Sequence, residues 1–447
     1  MKRHVLLWAI VVVCSNLQTN AAEFRAAAAK TDVTPADSQQ LWGYFDRKGP
    51  STGKLDPLMA KILVVEAGEE RIAIVTLDLG RTFGPPSMQQ VRDRVAQSAD
   101  VDQVFFSASH THSGPVIEDD YGENGTPRWE QAALENITSA IEGAATRLEP
   151  AQIGTGYGET YIGHNRRYVQ PDGKVKMLWR NASKIPTQPV DPRVGVIRID
   201  DADGQAIAVL VNYSCHPVVL GPDNLEYSAD WSGAMQHHVE SQMEGGPVCL
   251  FLQGGAGDIN PYYDKMALSE DGARLMQETG AQVGAEVVRV SGEIETSSPQ
   301  TPSLRYSLDT ITFAMRWDME TILERMKPSL TPYVYTRYKR YLTSPLECPV
   351  MSLVINDRIA LMGMPGEPFV EFAINFRDRS PYPDSFFVGY ANGYKAYFPT
   401  IKAAVEGGYG ANSVSARAEV GAGEKMVDHA VVKLYELKGK LTNLPGF

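Results

Sequence analysis

Cysteine is scarce in this chain, with four in 447 residues, and one of them, Cys14, lies in the first apolar segment. Cys215, Cys249 and Cys348 are too few for a disulfide framework. Cys215 and Cys249 also sit inside apolar, strand-like runs, where a thiol reads as a small buried hydrophobe. Positive charge is short as well: 42 Lys and Arg face 54 Asp and Glu, a net charge of −12. Such a chain lacks the basic face that a polyanion requires, which argues against nucleic acid as a partner. After the first segment no apolar run reads as membrane-spanning. Repeats are missing too, and the alanines at 26 to 29 are too short a tract to count as low complexity.

What is present begins with a leader. Lys2 and Arg3 precede an apolar run from Val5 to Cys14, and small residues follow at Ala21 and Ala22. That pattern predicts a secretory signal peptide over residues 1–22, cleaved after Ala21 or Ala22, and a secreted or periplasmic protein. The run is about half of what a helix needs to cross a bilayer. A lipoprotein anchored at Cys14 is the lesser alternative, because Val12 and Val13 stand where small residues are expected. Removing Lys2 and Arg3 leaves 40 basic residues against 54 acidic, a net −14. The remaining 23–447 are expected to form one large catalytic domain, with its strongest internal break at the Pro and Ser cluster Thr296–Ser303.

Short apolar runs rich in β-branched and aromatic residues predict buried strands at Arg71–Asp78, Val104–Ser109, Ile207–Tyr213, Val248–Gln253, Met351–Ile355, Ile359–Met364 and Ser385–Tyr390. Helical spacing appears in Trp129–Leu148, Trp231–Met243, Glu270–Val290, Phe369–Asp378 and Lys425–Leu437. Interspersed strands and helices predict a layered α/β architecture. Each of these strands is read as delivering its unusual residues at its carboxyl end, where ligands bind in open α/β sheets, so those residues are expected to converge.

The sharpest motif is Ser109-His110-Thr111-His112-Ser113-Gly114-Pro115. Two residues apart on an extended backbone face one side, so His110 and His112 are expected to share a site, one as a metal ligand and the other as an acid, base or hydrogen-bond donor. His216 ends another strand and is followed by Pro217. Glu367 follows a third strand, in Met364-Pro-Gly-Glu-Pro368, although a carboxylate there also suits the start of the next helix. Two imidazoles and a carboxylate suit zinc with one position open for water. Gly254–Asp258 resembles an anion nest, and a phosphate site is one reading of it. Asn165-Arg166-Arg167 supplies cations for a carboxylate, a hydroxyl or a polarised carbonyl. His237, His238 and His429 fall on helices and read as exposed or packed.

These pieces together resemble the amidase domain of the neutral, non-lysosomal ceramidases. The resemblance runs in order along most of the chain, through Lys30-Thr-Asp-Val-Thr-Pro35, Gly43-Tyr44, Leu55-Asp-Pro-Leu58 and Thr76-Leu-Asp78. Ser109–Pro115 closely follows that family's Thr-His-Thr-His-Ser-Gly-Pro signature. The resemblance implies two β-sheets with helices outside them, one Zn²⁺ held by His110, His216 and Glu367, and an active-site role for His112. It likens Asn165-Arg166 to the family's active-site arginine and Asn392-Gly-Tyr394 to the segment carrying its tyrosine ligand. Two departures stand out. Gly257-Asp-Ile-Asn260-Pro-Tyr262 replaces Gly-Asp-x-Ser-Pro-Asn, so the family's serine is absent and Asn260 is at most a substrate contact. The sequence also stops at Phe447, where no immunoglobulin-like C-terminal domain is expected to follow.

The expected chemistry is hydrolysis of an N-acyl amide such as ceramide by a zinc-activated water, with His112 and Arg166 steadying the oxyanion. Tyr394 is expected to be a fourth ligand or a hydrogen-bond donor beside the metal. Asp78, Asp230 and Asp258 are expected to orient histidine N–H groups. The expected partner is a small-molecule or lipid substrate, with peripheral membrane contact as an accompaniment. The rivals are removal of an acyl group from a non-sphingoid amide or ester, and a secreted binding protein in which the metal is only a structural clamp.

Overall fold

A computed structural model describes residues 23–441; the expected signal peptide lies outside the described residues. Twelve strands form two sheets. The first eight strands are β1 (Phe24–Asp32), β2 (Met59–Ala67), β3 (Glu70–Leu77), β4 (Gln103–Ala108), β5 (Glu149–Glu159), β6 (Arg193–Asp201), β7 (Ala206–Tyr213) and β8 (Val248–Gln253). They make one sheet in the order β8-β7-β6-β5-β1-β2-β3-β4. The second sheet is β9 (Leu304–Phe313), β10 (Leu346–Ile355), β11 (Ile359–Gly363) and β12 (Asp384–Val388), in sequential order. Residues 294–303, which contain the Pro and Ser cluster, link the two.

The helices are α1 (Pro85–Ala99), α2 (Arg128–Ala145), α3 (Asp230–Gln242), α4 (Gly272–Glu293), α5 (Met319–Met326), α6 (Pro332–Thr343), α7 (Val370–Arg379), α8 (Ile401–Glu406) and α9 (Ala422–Leu437). Three apolar layers follow from the alternation of the strands. Between the sheets, Phe24, Leu63, Ile74, Phe105, Ile197 and Leu210 meet Met351, Leu353, Leu361 and Phe386. On the outer face of the large sheet, α1 and α2 cover one half and α3 and α4 the other. Helices α7 and α9 cover the outer face of the small sheet. The result is the expected layered architecture of two sheets with helices outside. Cys215, Cys249 and Cys348 are buried and unpaired, as small hydrophobes.

Most neighbouring strands are antiparallel, but three pairs are parallel: β3 with β4, β7 with β8, and β11 with β12. A parallel pair needs a crossover, and α1, α3 and α7 supply them. In each pair the carboxyl ends of both strands emerge on one edge. Those edges carry Asp78 and His110, His216 and Gly254, and Glu367 and Tyr390, so the topology gathers the notable residues at one end of the sandwich.

Two strands in the large sheet show little strand signal. β1 reads Phe-Arg-Ala-Ala-Ala-Ala-Lys-Thr-Asp and is held by nine paired positions with β2. β5 carries Gly154, Gly156 and Gly158 on the face toward the end of α4. A Cβ at these glycines would lie 2.6 Å from Ile294, 2.7 Å from Ile294 and 2.0 Å from Glu286, so their lack of side chains lets the helix lie close.

Candidate metal centre and active site

Strand β4 ends at Ala108 and delivers His110, strand β7 ends at Tyr213 and delivers His216, and the turn after β11 delivers Glu367. All three are about 98% or more buried. Gln253, the last residue of β8, ties the two histidine segments together. Its Nε2 donates to the carbonyls of Ser109 and Cys215, both at 2.9 Å, and its Oε1 accepts from the Cys215 N–H at 3.3 Å. Gly257 permits the third approach: its N–H donates to the Pro368 carbonyl at 2.8 Å, and a Cβ there would sit 2.5 Å from the Glu367 carbonyl oxygen.

The ring orientations of His110 and His216 follow from their outer nitrogens. Nδ1 of His110 lies 2.6 Å from the Gly80 carbonyl, and Nδ1 of His216 lies 2.5 Å from the Ala256 carbonyl. A carbonyl only accepts, so both Nδ1 atoms carry the proton and both Nε2 atoms present lone pairs inward. Those lone pairs face Oε2 of Glu367 at 3.3 Å and 3.1 Å. Three acceptors converging in a buried space repel one another unless a cation lies among them. Burial pushes the His216 imidazole down to about 4, so His216 does not supply a second proton at neutral pH. The donor set therefore fits a divalent metal of borderline softness.

His112 differs from its two companions. Its Nε2 lies 3.3 Å from Nε2 of His110, and with His110 and His216 it offers ligand atoms within 4.8 Å of one another. Its Nδ1 is buried without a hydrogen-bond partner, and because Nε2 of His110 presents a lone pair, Nε2 of His112 is the donor across their contact. Burial, with His110 and His216 beside it, holds the imidazole well below its usual range and therefore neutral. The two rings meet for a reason other than strand alternation. His110 stands at φ +71°, outside the extended region, and this strained turn aims its ring. Gly43 at φ +97° lets the 43–44 loop lie against His112, where a Cβ would come within 2.3 Å of the ring.

The tyrosine hydroxyl of Tyr394 makes a short hydrogen bond to Oε1 of Glu367, as a donor beside the metal position. The expected work of Asp78, Asp230 and Asp258 is corrected by the structure. Main-chain carbonyls, not carboxylates, orient His110 and His216. Asp78 accepts from Gln236 at 2.8 Å, Asp230 from the N–H groups of Val219, Leu220 and Trp231, and Asp258 from Asn165 and the Val370 N–H. These carboxylates fix the loops around the site. Asp230 and Asp258 are pushed up by burial to about 7 and about 6.

A cavity of about 700 Å³ opens over His110, His112 and Glu367. Its walls include Trp42, Tyr44, Phe45, Ile117, Tyr338, Tyr341, Tyr397 and Tyr409, with Arg81, Glu118, Asp119 and Arg340 among them. Arg166 is not part of the wall. Buried behind it, the guanidinium donates to Asn260 Oδ1 at 3.0 Å, to the Gly257 carbonyl at 2.7 Å and to the Tyr397 hydroxyl at 3.1 Å. Asn260 is likewise buried and stands outside the wall, so its place is that of an anchor for Arg166 and not of a substrate contact. Gly254–Asp258, one reading of which was a phosphate nest, instead gives carbonyls and N–H groups to His216, Arg166 and Pro368.

Several residues around the site escaped the sequence reading. Tyr390 stacks on His110 with ring centroids 4.4 Å apart, and Trp42 packs edge-on against Tyr394. Nothing in their local sequence distinguishes them from core aromatics. His164 is buried against Tyr262, and its Nε2 donates to the Leu178 carbonyl at 2.7 Å, away from the metal group.

Residues 24–288 match the family described as neutral/alkaline non-lysosomal ceramidase, N-terminal. The chain belongs to that family. The neutral ceramidase of Pseudomonas aeruginosa is 24% identical over 272 residues, covering 57% of this chain and 40% of that protein. Neutral ceramidase A of Dictyostelium discoideum is 27% identical over 212 residues, covering 43% of this chain and 27% of that protein. The chain thus aligns with less than half the length of these ceramidase relatives. A solved structure described as ceramidase complexed with C2 superimposes with a TM-score of 0.73 at 18% identity, over 95% of this chain and 77% of that one. The Pseudomonas aeruginosa neutral ceramidase structure gives 0.72 at 18% identity, over 96% and 76%. These superpositions establish that the two-sheet sandwich is the ceramidase fold.

Proposed function

We propose that this ceramidase-family chain is an exported zinc-dependent amidohydrolase that splits an N-acyl amide, such as ceramide, into a fatty acid and an amine. One observation carries the reading: Nε2 of His110, Nε2 of His216 and the Glu367 carboxylate converge beside the floor of an aromatic cavity, while main-chain carbonyls hold both outer imidazole nitrogens. Zinc held by His110, His216 and Glu367 would supply a Lewis acid for water and for an amide carbonyl. Tyr394 holds the second Glu367 oxygen and so fixes the carboxylate's orientation.

The protein's own groups handle the protons and the charge. His112, neutral, accepts a proton from the attacking water and returns it to the leaving amine nitrogen. Tyr397 belongs to the cavity wall, and its hydroxyl, which accepts from Arg166, donates to the carbonyl oxygen as charge develops there. Arg166 therefore acts through Tyr397, a change from the direct role expected of it. The aromatic wall excludes water and receives the acyl chain. The basic and apolar pattern of residues 1–22 supports export, and no helix among the described residues is long and apolar enough to cross a membrane.

The test is metal content and turnover on the same preparation. About one zinc per chain, loss of amide hydrolysis on chelation and recovery on adding zinc are the expected results. A preparation that turns over only esters would refute the amidase reading. One that holds zinc and hydrolyses nothing would favour the structural clamp.

A further inference from the structure

One wall of the cavity carries charge that hydrolysis of a neutral amide does not use. Arg81 is 1% exposed and Lys395 is 7% exposed, yet the two share a single counterion. Arg81 Nη2 bonds one oxygen of Asp119, and Lys395 Nζ lies 3.1 Å from the other. The remaining Arg81 bond is from Nε to the Thr82 carbonyl at 3.1 Å. Next to this group, Glu118 is shared in the same way by Arg337 at 3.2 Å and Arg340 at 3.1 Å. Asp120 turns its Oδ1 to the Gly122 N–H instead. The wall as a whole is not cationic, since Arg81, Arg337 and Arg340 line it together with Glu118, Asp119, Asp120 and Glu367; what stands out is that Arg81 and Lys395 divide one carboxylate between them.

The placement matters as much as the sign. Arg81 lines the cavity, and its guanidinium carbon lies 5.1 Å from the centre of the Tyr394 ring, whose hydroxyl bonds Glu367. The cation is therefore about one tyrosine ring away from the metal-binding floor. A buried cation with half a counterion is costly, and an anion from the cavity removes that cost. The planar guanidinium matches a carboxylate in both charge and shape.

We infer that the substrate carries a carboxylate on the amine side of the scissile amide, as an N-acyl amino acid does, and that Arg81 binds it. This rests on the amide-hydrolase reading and sharpens it. The acyl chain lies along Trp42, Phe45 and Tyr338, and the carboxylate meets Arg81 beside Tyr394. Lys395 acts behind Asp119, keeping that carboxylate from neutralising Arg81 fully.

The experiment compares N-dodecanoylglycine with N-dodecanoylethanolamine, which share the chain and the amide and differ in the charge of the head. The zinc-loaded enzyme is expected to show a kcat/KM ratio of at least about tenfold in favour of the carboxylate, the scale of one charge-assisted contact. Arg81→Gln is expected to collapse that ratio, and Arg81→Lys, which keeps the charge, to retain part of it. A ratio near one in the parent, or a ratio unchanged in Arg81→Gln, overturns the inference. Binding is measured in parallel with the ketone isosteres of both compounds, in which a methylene replaces the amide N–H. Tighter binding of the anionic isostere without turnover of either amide would refute the hydrolase reading and uphold the carboxylate site. Equal affinity for the two isosteres would refute the site itself.

Discussion

Oε2 of Glu367 lies 3.1 Å from Nε2 of His216, although the only ring proton of that neutral histidine is engaged at the opposite nitrogen by the Ala256 carbonyl. A lone pair facing a carboxylate in a buried space is stable only around a cation. His110 has the same contacts, Nδ1 with the Gly80 carbonyl and Nε2 with the same carboxylate oxygen, and these separate the two rings from His112, whose outer nitrogen has no partner.

That separation predicts different consequences for the three histidines. His110→Ala and His216→Ala are expected to lose bound zinc and turnover together. His112→Ala is expected to keep the metal and lose turnover by about 10² to 10⁴-fold, the range for a positioned acid–base group. Metal analysis beside steady-state rates decides it. Release of zinc from His112→Ala as complete as from His110→Ala would put all three nitrogens on the metal.

Tyr397→Phe removes the hydroxyl held by Arg166 and leaves the ring in the wall. The expected effect is a fall in kcat of roughly 10² to 10³-fold at unchanged zinc content, the cost of one oxyanion donor. Arg166→Met should give a similar kcat loss and, because it also frees Asn260 and the Gly257 carbonyl, a lower melting temperature. Full activity in Tyr397→Phe would remove that hydroxyl from the reaction.

Gly257→Ala tests the backbone approach that places Glu367. Its Cβ would sit 2.5 Å from the Glu367 carbonyl and 2.8 Å from that of Pro368, main-chain atoms that cannot swing aside. A stability loss of about 1 to 3 kcal/mol is expected, as for other overpacked sites, with weaker zinc binding. Denaturant unfolding and zinc titration in competition with a chelator measure the two effects.

Asp119 gives a pH signature away from the metal. Burial pushes its carboxyl up, but Arg81 and Lys395 outweigh this and hold it down at about 2. A depressed folded-state value means stabilisation that is present above the unfolded value of about 4 and lost as pH falls from there to 2. The shift corresponds to about 2 kcal/mol at neutral pH. The stability gap between the parent and Asp119→Asn should therefore be widest at pH 7 and narrow below pH 4. A gap constant down to pH 2.5 would show that the Arg81 and Lys395 pairing does not ionise Asp119 as described.

The sequence by itself determined the layered α/β class, because β3, β4, β7, β8 and β11 are short, almost wholly apolar and punctuated by polar ends, and such runs are stable only between covering layers. It also located His110, His216 and Glu367, since metal-type residues directly after buried strands have few structural reasons to be there. Tertiary structure decided what local pattern cannot encode. β1 is a strand because β2 pairs with it, not because alanine favours extension, and β5 is a strand whose glycines make room for α4. The histidines are oriented by the carbonyls of Gly80 and Ala256, which every residue possesses and no sequence motif advertises, whereas carboxylates at Asp78, Asp230 and Asp258 had been the visible choice. Arg81, Asp119 and Tyr397 come from separate segments and meet only across the folded cavity. Their roles depend on distances between chain segments, and those distances are set by sheet order and crossover, not by the residues adjacent to each one.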